Sequence, residues 1–262
     1  MKHASRIAAA LLLVIAAAPL FCRVDAAMAP EPSHARWQKF LSRYLDTSAA
    51  DGVNRLRYSA VTQEDKALLD GYLRDMQRVN PNTQVDPAKR AFWINLYNAQ
   101  TAASVIKALP LKSIRDIRIP GSASQGPWDA KLLKVDGAAL SLNDIENKIL
   151  RVKWKDNRIH FALNCASIGC PNLTPLAFTR GNLEAQLEKG AKDFMKSPRG
   201  IAFDGTVLKL SSLFDWYKAD FGKTDREVLE SLARYAPPET AARLKSHSGK
   251  VKYQYDWNLN GI

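Results

Sequence analysis

Apolar residues recur at helical spacing along the first half of the chain, most clearly between residues 91 and 109. The run from Ala91 to Leu109 is apolar on almost every side, which predicts a helix that the rest of the protein buries. Asn95 and Asn98 lie about one turn apart and form its narrow polar strip. Buried amides need partners, so we expect these two side chains to bind backbone groups or to line a cavity.

The same spacing, with capping residues before it and Pro or Gly after it, predicts about seven helices in all. The other six lie near residues 37–45, 63–79, 142–151, 183–196, 213–221 and 225–236. Asp136-Gly137 and Asp204-Gly205 sit between short apolar segments and predict two hairpins, 131–140 and 201–210. From Val251 to Trp257 apolar and polar residues alternate, as in a half-buried strand. The fold class predicted is α+β: a single domain with a mostly antiparallel sheet, hairpins and packed helices.

The stretch from Arg158 to Pro171 combines apolar residues with a histidine, an asparagine and two cysteines. Its alternation predicts a strand over 158–165, with Phe161 and Leu163 on one face and His160 and Asn164 on the other. Polar groups on that second face would need partners if buried. Cys165 would then lie where the strand enters a loop, so this region is the candidate functional surface.

The N-terminal segment has the pattern of an export signal. Lys2 and Arg6 precede an apolar run from Ala8 to Leu20 that is too short to span a bilayer, and small residues follow at 24–26. We expect a signal peptide over residues 1–26 and a periplasmic or secreted domain over 27–262, with no transmembrane segment after cleavage. A lipoprotein acylated on Cys22 is the less favoured alternative, because Phe21 is bulky for such a site.

Charge adds a weak indication of partners. The chain has 38 Lys and Arg against 26 Asp and Glu, a net charge of +12, and loss of residues 1–26 removes three basic residues and one acidic residue. The remaining +10 is dispersed, which suits contact with anionic envelope surfaces or acidic substrates, or simply a solvated surface. Export makes nucleic acid an unexpected partner. The sequence lacks the serine-elbow, zinc-protease, phosphate-loop and dinucleotide motifs, so no cofactor is predicted.

Four interpretations of the cysteine stretch stay open. In the first, Cys165 and Cys170 form a disulfide, which an oxidising compartment favours and which requires a reverse turn between them. In the second, both are buried inert thiols. Cys165 can instead be a nucleophile, although a straight strand would place His160 roughly 16 Å from it, beyond the reach of a catalytic base. A metal site that uses His247 as well has unusual ligand spacing, and no metal is predicted.

Five sequence blocks, in order, resemble the family called domain of unknown function 547. They are FWINLYNA at 92–99, SLNDIENKILR at 141–151, RIHFALNCASIGCP at 158–171, LFDWYKADF at 213–221 and YDWNLN at 255–260. The resemblance implies no established activity, substrate or cofactor. The family often has histidine at the position of Asn147. If that histidine is catalytic in the family, this chain lacks the catalytic residue.

Two functions of different class follow. The first is an exported, soluble, thiol-dependent hydrolase or acyltransferase acting on peptide or cell-envelope material, with Cys165 and His160 as the catalytic pair. The second is a non-catalytic envelope module that binds a small molecule, a peptide or an envelope component beside a structural Cys165–Cys170 disulfide. In either case the candidate ligand-binding residues are Asn95, Asn98, Glu146 and Asn164.

Overall fold

The fold is described from a computed structural model that covers residues 29–122 and 124–261. The predicted signal peptide and Cys22 lie outside these residues. In the described part of the chain nine α-helices form, none of them long and apolar enough to cross a membrane. They are α1 (Ala35–Tyr44), α2 (Gln63–Gln77), α3 (Asp86–Ala108), α4 (Arg151–Trp154), α5 (Leu183–Lys196), α6 (Leu213–Trp216), α7 (Lys218–Phe221), α8 (Asp225–Ala233) and α9 (Pro238–Ser246).

Within the described residues, seven short strands form three small sheets. β1 (Leu45–Asp46) pairs with β2 (Arg55–Leu56), and β3 (Leu133–Val135) pairs with β4 (Ala138–Leu140), both antiparallel. β5 (Ile201–Asp204) pairs antiparallel with β6 (Val207–Ser211), which pairs in parallel with β7 (Val251–Gln254). Both predicted hairpins are confirmed as antiparallel pairs, and Asp136 and Gly137 have the positive φ angles, 49° and 80°, that the tight turn requires. In the second hairpin the turn is shifted by one residue, because Asp204 pairs with Val207 and the turn is Gly205-Thr206. The α+β class is therefore confirmed.

Two groups of buried apolar side chains form the core. The larger one surrounds α3, whose apolar residues are buried on most sides as the pattern predicts. The smaller one joins α5, α8 and the β5–β6 hairpin through Phe161, Phe194 and Phe214. Phe161 follows directly after His160, so this histidine lies where the two parts of the core meet.

The predicted strand over 158–165 is wrong. Residues Asn157–Phe161 form a 3₁₀ helix, which Asp156 caps by accepting a hydrogen bond from the Arg158 backbone N–H at 2.9 Å. Ile159 and Leu163 pack in the larger group and Phe161 in the smaller one. Because both parts of the core surround this turn, its apolar residues are buried in different directions rather than on one sheet face.

The predicted helix at the SLNDIENKILR block is confirmed, but its geometry differs from the expected one. Ser141 and Asp144 cap each other's backbone N–H groups, at 2.8 and 3.1 Å. Asp144–Leu150 then form a π-helix that continues into α4. Such wide turns are rare and often lie at functional sites.

After β7 the chain runs back along the cysteine loop instead of continuing the predicted strand to Trp257. The N–H groups of Ile168 and Gly169 donate to the carbonyls of Asn258 and Asp256, each at 2.8 Å. A Cβ atom at Gly169 would lie only 2.8 Å from the Asp256 nitrogen, so the approach requires glycine there. The C-terminal aromatic residues are thereby held against the two cysteines.

Candidate functional site

A cleft of about 240 Å³ opens where α3, the π-helix, the cysteine loop, α6 and the C-terminal segment meet. Four of the residues that the sequence singles out line it: Glu146, His160, Cys165 and Cys170. Half of the remaining described lining residues are aromatic. The six aromatic residues are Tyr97, Trp128, Trp216, Tyr217, Tyr255 and Trp257.

The rings of the outer wall touch one another and form a continuous surface. Trp216 stacks on Trp257 with 5.5 Å between ring centroids, and Tyr255 lies 4.8 and 4.6 Å from these two rings. Trp128 meets Trp257 edge-on at 5.9 Å. Trp216 nevertheless keeps 49% of its surface exposed, which is unusual for a large apolar side chain unless it serves a contact.

Glu146 provides a buried carboxylate to the cleft. It projects from the π-helix, and its Oε1 lies 3.6 Å from Nδ1 of His160. It also faces the phenols of Tyr97 and Tyr217, whose pKa values are raised chiefly by burial and further by the negative charge of Glu146. Both phenols therefore stay protonated at physiological pH and can donate hydrogen bonds.

His160 is almost fully buried between two carboxylates. Its Nε2 lies 2.7 Å from Oδ2 of Asp220, and its ring stacks on Tyr217 with 4.2 Å between centroids. Burial on its own would lower the pKa of His160, but the hydrogen bonds and charges of Asp220 and Glu146 outweigh it and raise the pKa. This environment favours the imidazolium form, and both ring nitrogens already face carboxylates.

Arg151 completes the charge network on its outer side. Its guanidinium forms two hydrogen bonds with Asp220, at 2.5 and 2.9 Å, and lies over the ring of Tyr217 at 4.9 Å. Burial opposes ionisation of Asp220, but hydrogen bonds from His160 and Arg151 prevail and lower its pKa. Asn147, where the resembled family often has histidine, accepts a hydrogen bond from Arg151 at 2.7 Å, so it belongs to this network.

The two cysteine sulfurs lie at disulfide distance, with 6.2 Å between the Cα atoms. The hydroxyl of Tyr255 is 2.9 Å from the sulfur of Cys165 and 3.1 Å from that of Cys170. Ser167 Oγ lies 3.1 Å from the Cys165 sulfur, and the Cys165 backbone N–H donates to the Cys170 sulfur at 2.9 Å. The sulfur of Cys165 thus meets hydroxyls and its partner cysteine, while both nitrogens of His160 face carboxylates.

The three candidate amides form backbone clamps. Asn95 exchanges two hydrogen bonds with the backbone of Phe178, at 2.7 and 2.9 Å. Asn98 donates to the carbonyl of Ala162 at 2.9 Å and accepts from the N–H of Asn164 at 2.8 Å. Asn164 in turn donates to the carbonyl of Pro171 at 2.8 Å. These amides are outside the set of described residues that line the cleft, and their role in ligand binding stays a prediction.

The metal site that the sequence analysis left open as an alternative would need His247 beside the two cysteines. His247 packs edge-on against Phe203, with 6.2 Å between ring centroids, while the two cysteines pair with each other. In residues 29–122 and 124–261 no three His, Cys, Asp or Glu side chains are placed to hold a metal ion.

Sequence reasoning missed the aromatic wall and the partners of His160. Tyr217 and Asp220 lie in the block at 213–221, where the aromatic residues suggest only the apolar side of a helix. Tyr255 and Trp257 share the predicted strand pattern, which indicates that they are half-buried but not which residues they meet. The signal that could have indicated the aromatic wall is the high density of aromatic residues in these two segments.

Residues 82–195 match the model of the family described as "Protein of unknown function, DUF547", which confirms the resemblance seen in the sequence blocks. The matched segment contains Tyr97, Glu146, His160 and both cysteines, whereas Trp216, Tyr255 and Trp257 lie beyond it. Comparison with curated proteins and with solved structures finds no match.

Proposed function

We propose that the protein is an exported envelope protein that binds a small ligand in the aromatic cleft, and that the ligand carries an ammonium group. The aromatic wall is the observation that carries this proposal. Three rings in mutual contact present π faces, which attract organic cations, above all quaternary ammonium groups. Export itself remains the prediction made from residues 1–26.

The charges around the cleft support a cationic ligand. Asp129 and Glu146 line it, and the described lining residues include neither lysine nor arginine, although the whole chain has a net charge of +12. Arg115 lies 5.1 Å from the centroid of Trp257, which supports the view that this wall accepts cations on its faces. His160 also lines the cleft, but its two nitrogens face Glu146 and Asp220, which balance its charge, so the lining carboxylates disfavour an anionic ligand.

Choline is the ligand that tests the proposal. It is compared with its neutral carbon isostere, in which a tert-butyl group replaces the trimethylammonium group. Calorimetric titration should show tighter binding of choline. Trp216→Ala should weaken that binding about 2- to 30-fold, because one cation–π contact contributes about 0.5–2 kcal/mol. Trp154→Ala is the matched control, since Trp154 binds Asp86 through its Nε1 at 2.6 Å and does not line the cleft.

The outcomes separate two parts of the proposal. Equal binding of choline and its neutral isostere would refute the ammonium group but keep the cleft as a binding site. Equal effects of Trp216→Ala and Trp154→Ala would refute the cleft itself.

A thiol-dependent hydrolase or acyltransferase is the second candidate, supported by the fact that Cys165 lines the same cleft as His160 and Glu146. Such catalysis needs a reduced Cys165 and a base within hydrogen-bond reach. His160 would have to leave Asp220 to serve as that base. The geometry therefore supports ligand binding better.

A further inference from the structure

We propose that Cys165 and Cys170 form a reversible thiol–disulfide exchange centre that reacts with low-molecular-weight thiols entering the cleft. In this reaction the incoming thiolate attacks Cys165, and Cys170 is the leaving group. The proposal rests on the surroundings of the two sulfurs and holds whether or not the cleft binds an ammonium ligand.

The two cysteines differ in exposure. Cys165 is half-buried in the wall of the cleft, whereas Cys170 retains only 3% of its surface exposed. Exchange requires a nearly linear approach of the attacking sulfur to one sulfur of the pair, so access selects the one attacked. The more exposed Cys165 is that sulfur.

The hydrogen bonds favour Cys170 as the leaving thiolate. Its sulfur accepts the backbone N–H of Cys165 at 2.9 Å, a donor fixed on the Cys170 side. The hydroxyl of Tyr255 lies between the two sulfurs, 2.9 Å from Cys165 and 3.1 Å from Cys170, so it can turn to Cys170 when the bond opens. Donors of this kind stabilise a thiolate, and a stabilised thiolate leaves faster. Burial raises the pKa of Tyr255, so its hydroxyl keeps its proton and remains a donor.

The positive charge of Arg199 lies against the cysteine loop. The guanidinium of Arg199 donates to the carbonyls of Ile168 and Cys170, at 2.8 and 2.5 Å. A neighbouring cation lowers the free energy of a thiolate in a partly buried site. Arg199 thus supports the same leaving group as Tyr255.

Hydrogen bonds hold the loop in addition to the sulfur–sulfur bond, and this is the basis for a reversible opening. Asn164 Nδ2 donates to the carbonyl of Pro171 at 2.8 Å, which ties the two sides of the loop together. The N–H of Asn260 donates to the carbonyl of Ala166 at 3.0 Å, and Gly169 is bound to Asp256. Both cysteines are therefore held close together when reduced, so the bond can form again.

The chemistry balances in two steps. A thiolate forms a bond to the Cys165 sulfur while the Cys165–Cys170 bond breaks, and its electron pair leaves on the Cys170 sulfur. A second thiolate then attacks the small-molecule sulfur of the mixed disulfide, which releases a small disulfide and the Cys165 thiolate. The pair is reduced by two electrons, two small thiols are oxidised to one disulfide, and the protein thiolates take up protons according to their pKa values.

Reduced glutathione is the probe, applied to the folded full chain and to the chain in denaturant. After acid trapping, alkylation and peptide mapping, the proposal expects opening in the folded protein and a mixed disulfide on Cys165. Opening only in denaturant, or a mixed disulfide on Cys170, would overturn it.

Tyr255→Phe removes one donor from the leaving sulfur and should slow opening about 10- to 150-fold, the factor that corresponds to about 1.5–3 kcal/mol for a hydrogen bond to a charged group. Tyr253→Phe is the matched control, since Tyr253 is 39% exposed two residues earlier in the chain. Equal rates in the two variants refute the role of Tyr255. If Tyr255→Phe fails to fold by circular dichroism, the site of the mixed disulfide in the unmodified chain still decides the proposal.

Discussion

Replacing Asp220 with asparagine removes the charge that holds His160 and Arg151 together. The imidazolium of His160 would keep only Glu146, at 3.6 Å, as a charged partner. A hydrogen bond to a charged group contributes about 1.5–3 kcal/mol, and breaking a fully buried pair costs about 3–5 kcal/mol. The side chains of Asp220 and Arg151 are each 25% exposed, so we expect the lower values to apply. Asp220→Asn should lower the free energy of unfolding by about 2–3 kcal/mol.

The effect should depend on pH in a defined direction. The pKa of His160 is raised on folding, so its stabilising interaction is complete below the unfolded histidine pKa of about 6.5 and is lost as pH rises through the folded value. The pKa of Asp220 is lowered, so its contribution is present above the unfolded carboxyl pKa of about 4 and is lost as pH falls. The difference in the free energy of unfolding between the native chain and Asp220→Asn should therefore be largest at pH values above about 4 and below about 6.5.

Urea unfolding followed by tryptophan fluorescence at several pH values measures this difference, and NMR titration of the His160 ring measures its pKa directly. Asp225→Asn is the matched control. Asp225 pairs with Lys218 one helix away, but its side chain is 73% exposed, so stability should hardly change. Equal losses in the two variants, or an unchanged His160 pKa in Asp220→Asn, would refute the reasoning.

Two further predictions test the clamp and the N-terminus. Asn98→Leu leaves the carbonyl of Ala162 and the N–H of Asn164 without their partner, at a cost of about 1–3 kcal/mol each. The urea concentration at the midpoint of unfolding should therefore fall, and an unchanged midpoint would contradict the clamp. Mass spectrometry of exported protein should find a mature chain that begins near Ala27, whereas a retained Met1 or a lipid on Cys22 would contradict the signal peptide.

Local patterns predicted the parts of the fold that depend on a few neighbouring residues. The hairpin at Asp136-Gly137 follows from the positive φ angles that this pair tolerates, and the antiparallel pairing around it agrees with the prediction. The buried helix α3 follows from apolar residues on nearly every side, since such a surface cannot face water. These inferences need no knowledge of distant residues.

The same reasoning failed where every side chain is buried. Ile159, Phe161 and Leu163 alternate with His160 and Ala162, but all five are buried, so the alternation does not separate an inner face from an outer one. An N-cap at Asp156 was the local signal for a helical turn. The contact between Cys165 and Tyr255 joins residues 90 positions apart, and no local pattern indicates it.

Costly features gather around the cleft, and this concentration is itself an argument for a site. Glu146 and His160 are buried charged groups, and well-packed apolar residues in such positions are often at least as stabilising. Glu146 projects from a π-helix, which is a rare geometry. Ala166, beside Cys165, has a φ of 60°, and this conformation costs a residue with a side chain about 1–2 kcal/mol. Each of these features also orients a group that the proposed binding or exchange uses, the carboxylate in one case and the cysteine sulfur in the other. Local strain and buried charge at one place are what a functional constraint produces, whereas selection for stability alone would remove them.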